Sequence, residues 1–213
     1  MRVILASSSS TRRIWMSQQS WMEGHQLEIR SLAYDESVHS VEGDVFDTVR
    51  EIAIGKADFA IRALADHQGG WVSVVSDTMI EDPDTGLPMG KPRDSIEAER
   101  MLRRLSGRRH LVHSCTGVIT PSDTMDREMF SDRSQVLLGP LSEDDLSVLI
   151  ETESWRGKAG GYDIKGLARR HLKIIDGDEV TVLGFSPRGI ERLKRALAEP
   201  NNPPSGESDT AVF

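Results

Sequence analysis

The stretch from Trp71 to Pro92, WVSVVSDTMIEDPDTGLPMGKP, limits the possible folds of this chain more than any other. Its first half is a valine-rich run ending in Ser76-Asp77-Thr78 and reads as a largely buried strand. An aspartate buried there is costly unless a charge or a metal meets it. Asp82-Pro83-Asp84-Thr85-Gly86 reads as a turn, because proline fixes φ and glycine supplies positive φ. A hairpin centred on Asp84 sets Asp77 opposite Lys91. That juxtaposition fits either an ordinary cross-strand salt bridge or an anion site. An aspartate-phosphatase reading of Asp82 and Asp84 fails, since Gly86 stands where that motif needs a hydroxyl.

The 213 residues can bury a substantial core as one domain or as two small lobes around a cleft. A formal net charge of -8 argues against broad nucleic-acid or membrane-surface binding, so an anionic ligand must be met by a local basic cluster. The single cysteine, Cys115, excludes an internal disulfide and fits a reducing compartment. The opening MRVILASSSS lacks the serial charged and apolar regions of a signal peptide, and no apolar run is long enough for a membrane span. A cytoplasmic protein is expected.

Arg2 to Ala6 reads as a short strand, followed by Ser7 to Ser10 and a serine-capped helix carrying Arg12 and Arg13 in its first turn. A strand, a small-residue loop and a helix N-terminus form an anion cradle. Cations in a first turn oppose the macrodipole, which marks either a site or two solvated arginines. Gln26 to Ser31 reads as a second strand, leading to the carboxylates Asp35 and Glu36. From Asp44 to Ala65, Val49, Ile52, Ala53, Ala60 and Leu64 recur at helical spacing, and Lys56 shares their stripe. That lysine either snorkels or reaches into a cleft to hold phosphate.

Asp94-Ser95-Ile96-Glu97 resembles a capping box opening a helix to Leu105, and Ser142 caps another ending near Glu151. Strands are expected over Arg109–Thr120, Met129–Leu138, His171–Ile175 and Val180–Phe185. His110 and His113 fall on opposite faces of their strand and cannot chelate one metal. Gly160, Gly161 and Gly166 suit tight turns, close backbone approach to a ligand, or a plain loop. Ser186-Pro187 starts a final helix to Ala198, and a polar Pro/Ser/Gly-rich tail is expected to be disordered.

Taken in order, LASSSSTRR at 5–13, Asp35-Glu36, Ala53-x-x-Lys56-Ala57, Ser76-Asp77-Thr78, Gly90-Lys91-Pro92, Leu105-Ser106-Gly107, Lys158-Ala159-Gly160-Gly161-Tyr162 and Leu183-Gly184-Phe185-Ser186-Pro187 resemble the Maf family of nucleoside triphosphate pyrophosphatases, also called septum formation inhibitor proteins. The resemblance covers about residues 1–198, leaving 199–213 as the tail. It implies an α/β, two-lobed mixed-sheet fold with a central cleft, similar to inosine triphosphate pyrophosphatases, and a homodimer. It implies hydrolysis of a nucleoside triphosphate to the monophosphate and pyrophosphate with Mg²⁺ or Mn²⁺. Asp77 corresponds to the family's proton acceptor. Ser8, Arg12, Arg13, Glu36, Lys56 and Lys91 correspond to its polar cleft residues. Arg12, Thr78 and Lys165 occupy positions associated with substrate choice.

The chemistry agrees with the resemblance. A polyanionic triphosphate needs cations, which the arginines and lysines supply. Water attacking the α-phosphorus needs a base and neutralisation of the leaving group. Asp77 suits base or metal ligand, and Glu36 suits metal ligand. Three positions depart from the family pattern: Thr11 for proline, Gly184-Phe185-Ser186-Pro187 for Gly-Leu-Pro, and Lys165 for the glutamine of the dTTP/UTP branch. Glutamine donates and accepts, whereas lysine only donates. Thr78 favours the dTTP/UTP branch over the 7-methyl-GTP branch, and Lys165 implies a relaxed or shifted base preference. The rival class is a nucleotide-binding regulator of cell division with little catalysis. A P-loop enzyme is excluded, since no glycine-rich loop ends in Lys-Ser/Thr.

Overall fold

The computed structural model describes residues 1–31, 33–35, 43–67, 69–121 and 126–199. Glu36 and residues 200–213, the bulk of the expected tail, lie outside that set. One seven-stranded mixed sheet runs through the molecule. Its order is β2 (Gln26–Ile29), β1 (Arg2–Leu5), β3 (Trp71–Glu81), β5 (Arg108–Ile119), β6 (Arg127–Leu138) and β7 (Leu172–Asp176), with β4 (Pro88–Met89) against the far end of β3. β1 runs parallel to both β2 and β3, and the other pairings are antiparallel. Parallel neighbours need crossovers. The chain supplies them with α1 (Ser10–Ser17), between β1 and β2, and α2 (Val45–Leu64), between β2 and β3.

Four hydrophobic clusters pack the sheet, one of them joining Val45, Val49 and Ala53 of α2 to Cys115 of β5. Near β1, one face packs Leu5, Val72 and Val74 against Met16 of α1 and Ile190 and Leu193 of α6 (Pro187–Ala198). The opposite face packs Ile4 and Val75 against Ala57, Ala60 and Leu64 of α2. At the other end, Ile80, Val112, Val136 and Leu138 are covered by Leu102 and Leu105 of α3 (Ser95–Leu105) and Leu146 and Leu149 of α4 (Glu143–Glu151). Strand β3 runs between them: Val72, Val74 and Val75 belong to the two clusters near β1, and Ile80 to the cluster at the other end. Ser76, Asp77 and Thr78 therefore lie between those clusters along β3.

Two expectations are corrected. The hairpin exists, but Ile80 pairs with Met89 and Glu81 with Pro88, and β4 ends at Met89. Asp77 thus has no partner on that arm; its neighbour across the sheet is Cys115 of β5. The turn is centred between Asp84 and Thr85 rather than on Asp84: Asp82 N–H donates to Leu87 O at 2.9 Å, and the Asp82 carboxylate accepts from the Asp84 and Thr85 N–H groups at 2.8 and 3.1 Å. The segment expected as strand over Val180–Phe185 is instead α5 (Glu179–Leu183). Asp178 caps it by accepting from Val180 N–H at 2.7 Å, and Gly184 ends it in the left-handed conformation at φ 105°. Cap chemistry at both ends outweighs the β propensity of Val180, Thr181 and Val182.

Candidate active site

The first turn of α1 is built as its serines require. Ser9 caps it, accepting from Arg12 N–H at 3.3 Å, and Ser7 accepts from Ser9 N–H at 3.2 Å. Arg12 is buried, with 8% of its surface exposed, and points across the molecule. Its guanidinium donates to Gly184 O at 2.8 Å, Ser76 O at 2.9 Å and Thr78 Oγ1 at 2.8 Å. It therefore ties α1, β3 and the end of α5 into one frame. A Cβ at Gly184 would lie 2.6 Å from Arg12 Nε, so both the positive φ and the close approach require glycine there. Arg13 is exposed and lines neither of the cavities described next.

Two cavities meet at this frame, sharing Ser9, Arg12, Lys91 and Gly157. The polar one is lined by Ser7 to Ser10, Tyr34, Lys56, Ser76, Lys91 and Arg156. The second has walls of Ile80, Val112, Ile164, Val182 and Leu183, with Asp77, Thr78, Lys158 and Asp163 among its polar groups. Hydroxyls and cations thus line one side of Arg12, and apolar walls with two carboxylates the other. Concave sites of this type hold ligands with a charged end and a flat apolar end.

Asp77 stands at the junction. Its side chain is 5% exposed, and Lys56 Nζ lies 2.6 Å from Oδ1. The second oxygen, Oδ2, is buried and has no hydrogen-bond partner among the described residues. Leaving a buried oxygen unpaired carries a penalty of about 1–3 kcal/mol or more. A position that tolerates such a cost is suited to take a proton or to meet a cation when ligand arrives. The stripe of α2 explains the lysine: Ala53, Ala57 and Ala60 pack inward, and Lys56 extends from beside them to β3.

The glycine-rich segment closes the second cavity. Gly160 N–H donates to Gly90 O at 3.0 Å, which fixes this loop against the residue preceding Lys91. A Cβ at Gly160 would collide with Ile80 Cδ1, so close packing as well as φ 65° demands glycine. Lys158 Nζ lies 2.8 Å from Asp163 Oδ2 and also meets the Ser10 and Thr11 hydroxyls. Thr11 Oγ1 donates to the same carboxylate at 3.1 Å, and Lys165 N–H donates to Oδ1 at 2.9 Å. Burial pushes the Asp163 carboxyl up, but these donors outweigh it and hold it below the usual carboxylate range. Beneath the loop, Tyr162 hydroxyl and His110 Nε2 are 2.7 Å apart. Burial holds that histidine down at about 4 and so neutral at pH 7.

Of the residues singled out in the sequence, Ser8, Arg12, Lys56, Asp77, Thr78 and Lys91 line one or both cavities. Lys165 does not. Its ammonium pairs with Glu179, it is 55% exposed, and it borders a separate depression beside Trp15. Glu36 lies outside the described residues; Tyr34 lines the polar cavity. Sequence reasoning missed Arg156 and Asp163. Their position flanking the glycine cluster was the available signal. Arg156 lines the polar cavity while making paired contacts of 2.5 and 2.6 Å to Glu153.

The sequence profile of the family described as Maf-like protein matches residues 2–197. A dTTP/UTP pyrophosphatase of Bacillus velezensis is 39% identical over 148 residues, spanning 66% of this chain and 75% of that protein. Another dTTP/UTP pyrophosphatase, from Geobacillus sp., is 31% identical over 195 residues, covering 91% of this chain and 97% of the relative. A HAM1 protein structure from Coxiella burnetii aligns with TM-score 0.50 at 16% identity over 93% of this chain and 98% of its own, a likeness of fold. With the profile spanning nearly the whole sequence and full-length relatives above 30% identity, this chain belongs to the Maf family.

Proposed function

We propose that this protein hydrolyses nucleoside triphosphates to the monophosphate and pyrophosphate, with dTTP and UTP as the preferred substrate class. The observation that carries the proposal is Asp77: one oxygen is fixed by Lys56, while the other is buried, unpartnered and set between a cationic cavity and an apolar one. The relatives named dTTP/UTP pyrophosphatases support the substrate class.

In this mechanism the triphosphate enters the polar cavity, where the serine loop offers N–H groups at the start of α1 and Lys91 and Arg156 offer cations. The α-phosphorus then faces Asp77. Water attacks it, Asp77 Oδ2 takes the proton, and the bond from the α-phosphorus to the bridging oxygen breaks. The electron pair leaves on pyrophosphate, whose developing charge Lys91 meets, while Arg156 only helps to hold the bound triphosphate. Lys56, 2.6 Å from Oδ1, keeps the carboxylate oriented. The orphaned Oδ2 also fits a divalent cation, which Asp77 and Glu36 would hold. Such an ion, Mg²⁺ or Mn²⁺, would neutralise phosphate charge when bound. The family resemblance adds a homodimer and a cytoplasmic location to this proposal, and light scattering at two concentrations checks the first.

The test is a panel of nucleoside triphosphates scored for pyrophosphate against orthophosphate. Pyrophosphate with monophosphate, fastest from dTTP and UTP, is the expected result. Tight nucleotide binding without product would favour the regulator, and fastest turnover of 7-methyl-GTP would move the protein to the other branch.

A further inference from the structure

The base-preference question raised by Lys165 has a different answer in the folded chain, since that ammonium is drawn away to Glu179. The apolar cavity must therefore read a base with other groups. Most of its polar groups are already engaged. Arg12 is committed to Gly184, Ser76 and Thr78, and the Thr78 hydroxyl is shared between Arg12 and Ser114 at 2.8 and 2.7 Å. The three protons of Lys158 have Asp163, Thr11 and Ser10 as partners. Thr11 donates to Asp163.

Asp163 differs from these. A carboxylate has about four lone-pair sites on its two oxygens. Three are occupied, by Lys158, Thr11 and the Lys165 N–H. The side chain is 18% exposed and lines the cavity beside Ile164. Among the described residues lining this cavity, the carboxylates are Asp77 and Asp163, and Asp77 belongs to the phosphate end. Asp163 is therefore the anionic acceptor left for the base. An ionised carboxylate accepts and does not donate, so it favours a ring N–H and opposes a ring nitrogen lone pair.

We infer that Asp163 is the base-reading residue of this chain, accepting a hydrogen bond from the ring N–H of a keto-imide base such as uracil or thymine. This rests on the pyrophosphatase reading and deepens it. Cytosine presents a lone pair at the corresponding ring position and is disfavoured. Lys158 and Thr11 act as positioning residues that keep the carboxylate ionised and aimed. The same contacts also fit a staple that only holds the glycine loop to α1, so the test must separate reading from holding.

The measurement is the ratio of kcat/KM for UTP to that for CTP, in wild type, Asp163→Asn, Asp163→Ala and Lys165→Gln. Thermal unfolding checks that each variant folds. Loss of a carboxylate that pairs with a substrate N–H is expected to lower the UTP:CTP ratio by about 10-fold or more in Asp163→Ala. Asp163→Asn, which keeps the shape and gains a donor, is expected to lower the ratio through a relative gain for CTP. Lys165→Gln is expected to leave the ratio within about twofold, because its side chain lies off the cavity. A staple alone would reduce both nucleotides equally and leave the ratio fixed, and that result overturns the inference. So does a ratio that moves with Lys165→Gln and not with either Asp163 variant. If the wild type releases no pyrophosphate from any nucleotide, the pyrophosphatase reading fails and this inference falls with it. An active wild type with an unmoved ratio sinks the inference alone.

Discussion

Two lysine–aspartate pairs border the cleft, at similar distances and with opposite finish. Lys56 and Asp77 meet at 2.6 Å with side chains 12% and 5% exposed; Lys158 and Asp163 meet at 2.8 Å with 15% and 18%. In the first pair the second carboxylate oxygen is buried and unpartnered. In the second, Thr11 and the Lys165 N–H add donors, so that both oxygens are engaged. The first aspartate extends from a strand running between hydrophobic clusters, so the rest of the fold holds the unsatisfied oxygen in place. The second sits on a loop and needs its donors to have a fixed position at all. An ion pair in a cleft is therefore not by itself a catalytic sign; a buried oxygen with no donor among the described residues is what sets Asp77 apart from Asp163.

The comparison breaks first at Asp77. Asp77→Asn preserves volume and removes the proton acceptor, so pyrophosphate release should fall by about 10²–10⁴-fold, while Asp163→Asn retains turnover of its best nucleotide within about 10-fold. Equal losses in steady-state assays would erase the distinction. Removing the partners comes next. Lys56→Met strands a buried carboxylate and should cost about 3–5 kcal/mol in denaturant unfolding, whereas Lys158→Met, whose aspartate keeps two other donors, should cost less.

Acid sharpens the contrast at the loop. The Asp163 carboxyl is held below its usual range, so its contribution to stability is present above the unfolded value of about 4 and is lost as pH falls through the lower folded value. Beneath it, His110 is held down at about 4 from an unfolded value near 6.5, so the unfolded chain binds more protons between them. Stability is expected to decline as pH falls from about 6.5 to 4, by an amount on the order of 3 kcal/mol, and His110→Phe should flatten that slope. The smallest effect belongs to Arg156. Exposed and already paired with Glu153, it should raise KM by about 3–10-fold as Arg156→Ala, with kcat little changed.

Local signals made most of this fold legible. The valine run gave β3, which continues past Thr78 to Glu81, the apolar stripe gave α2, and serine or aspartate caps gave the starts of α1, α3, α4 and α6. Where reading failed, two local preferences competed. Val180-Thr181-Val182 has β composition, but Asp178 and Gly184 enclose a single helical turn and a half. The hairpin register is shifted by one from a turn centred on Asp84, because the Asp82 carboxylate binds both the Asp84 and the Thr85 N–H groups and sets the centre between them. Asp77, Lys56 and Arg12 were visible because strand ends, helix stripes and helix starts have patterns. Asp163 was not, because its meaning comes from Lys158 and Thr11, the latter 152 residues away.

The claim on which all of this depends is that Asp77 directs water onto the α-phosphorus. Hydrolysis of UTP in ¹⁸O-labelled water, with both products analysed by mass, tests it most directly. The account predicts one label in the nucleoside monophosphate and none in pyrophosphate, with the rate of labelling falling in Asp77→Asn. Label in the pyrophosphate, or release of orthophosphate in place of it, would contradict it.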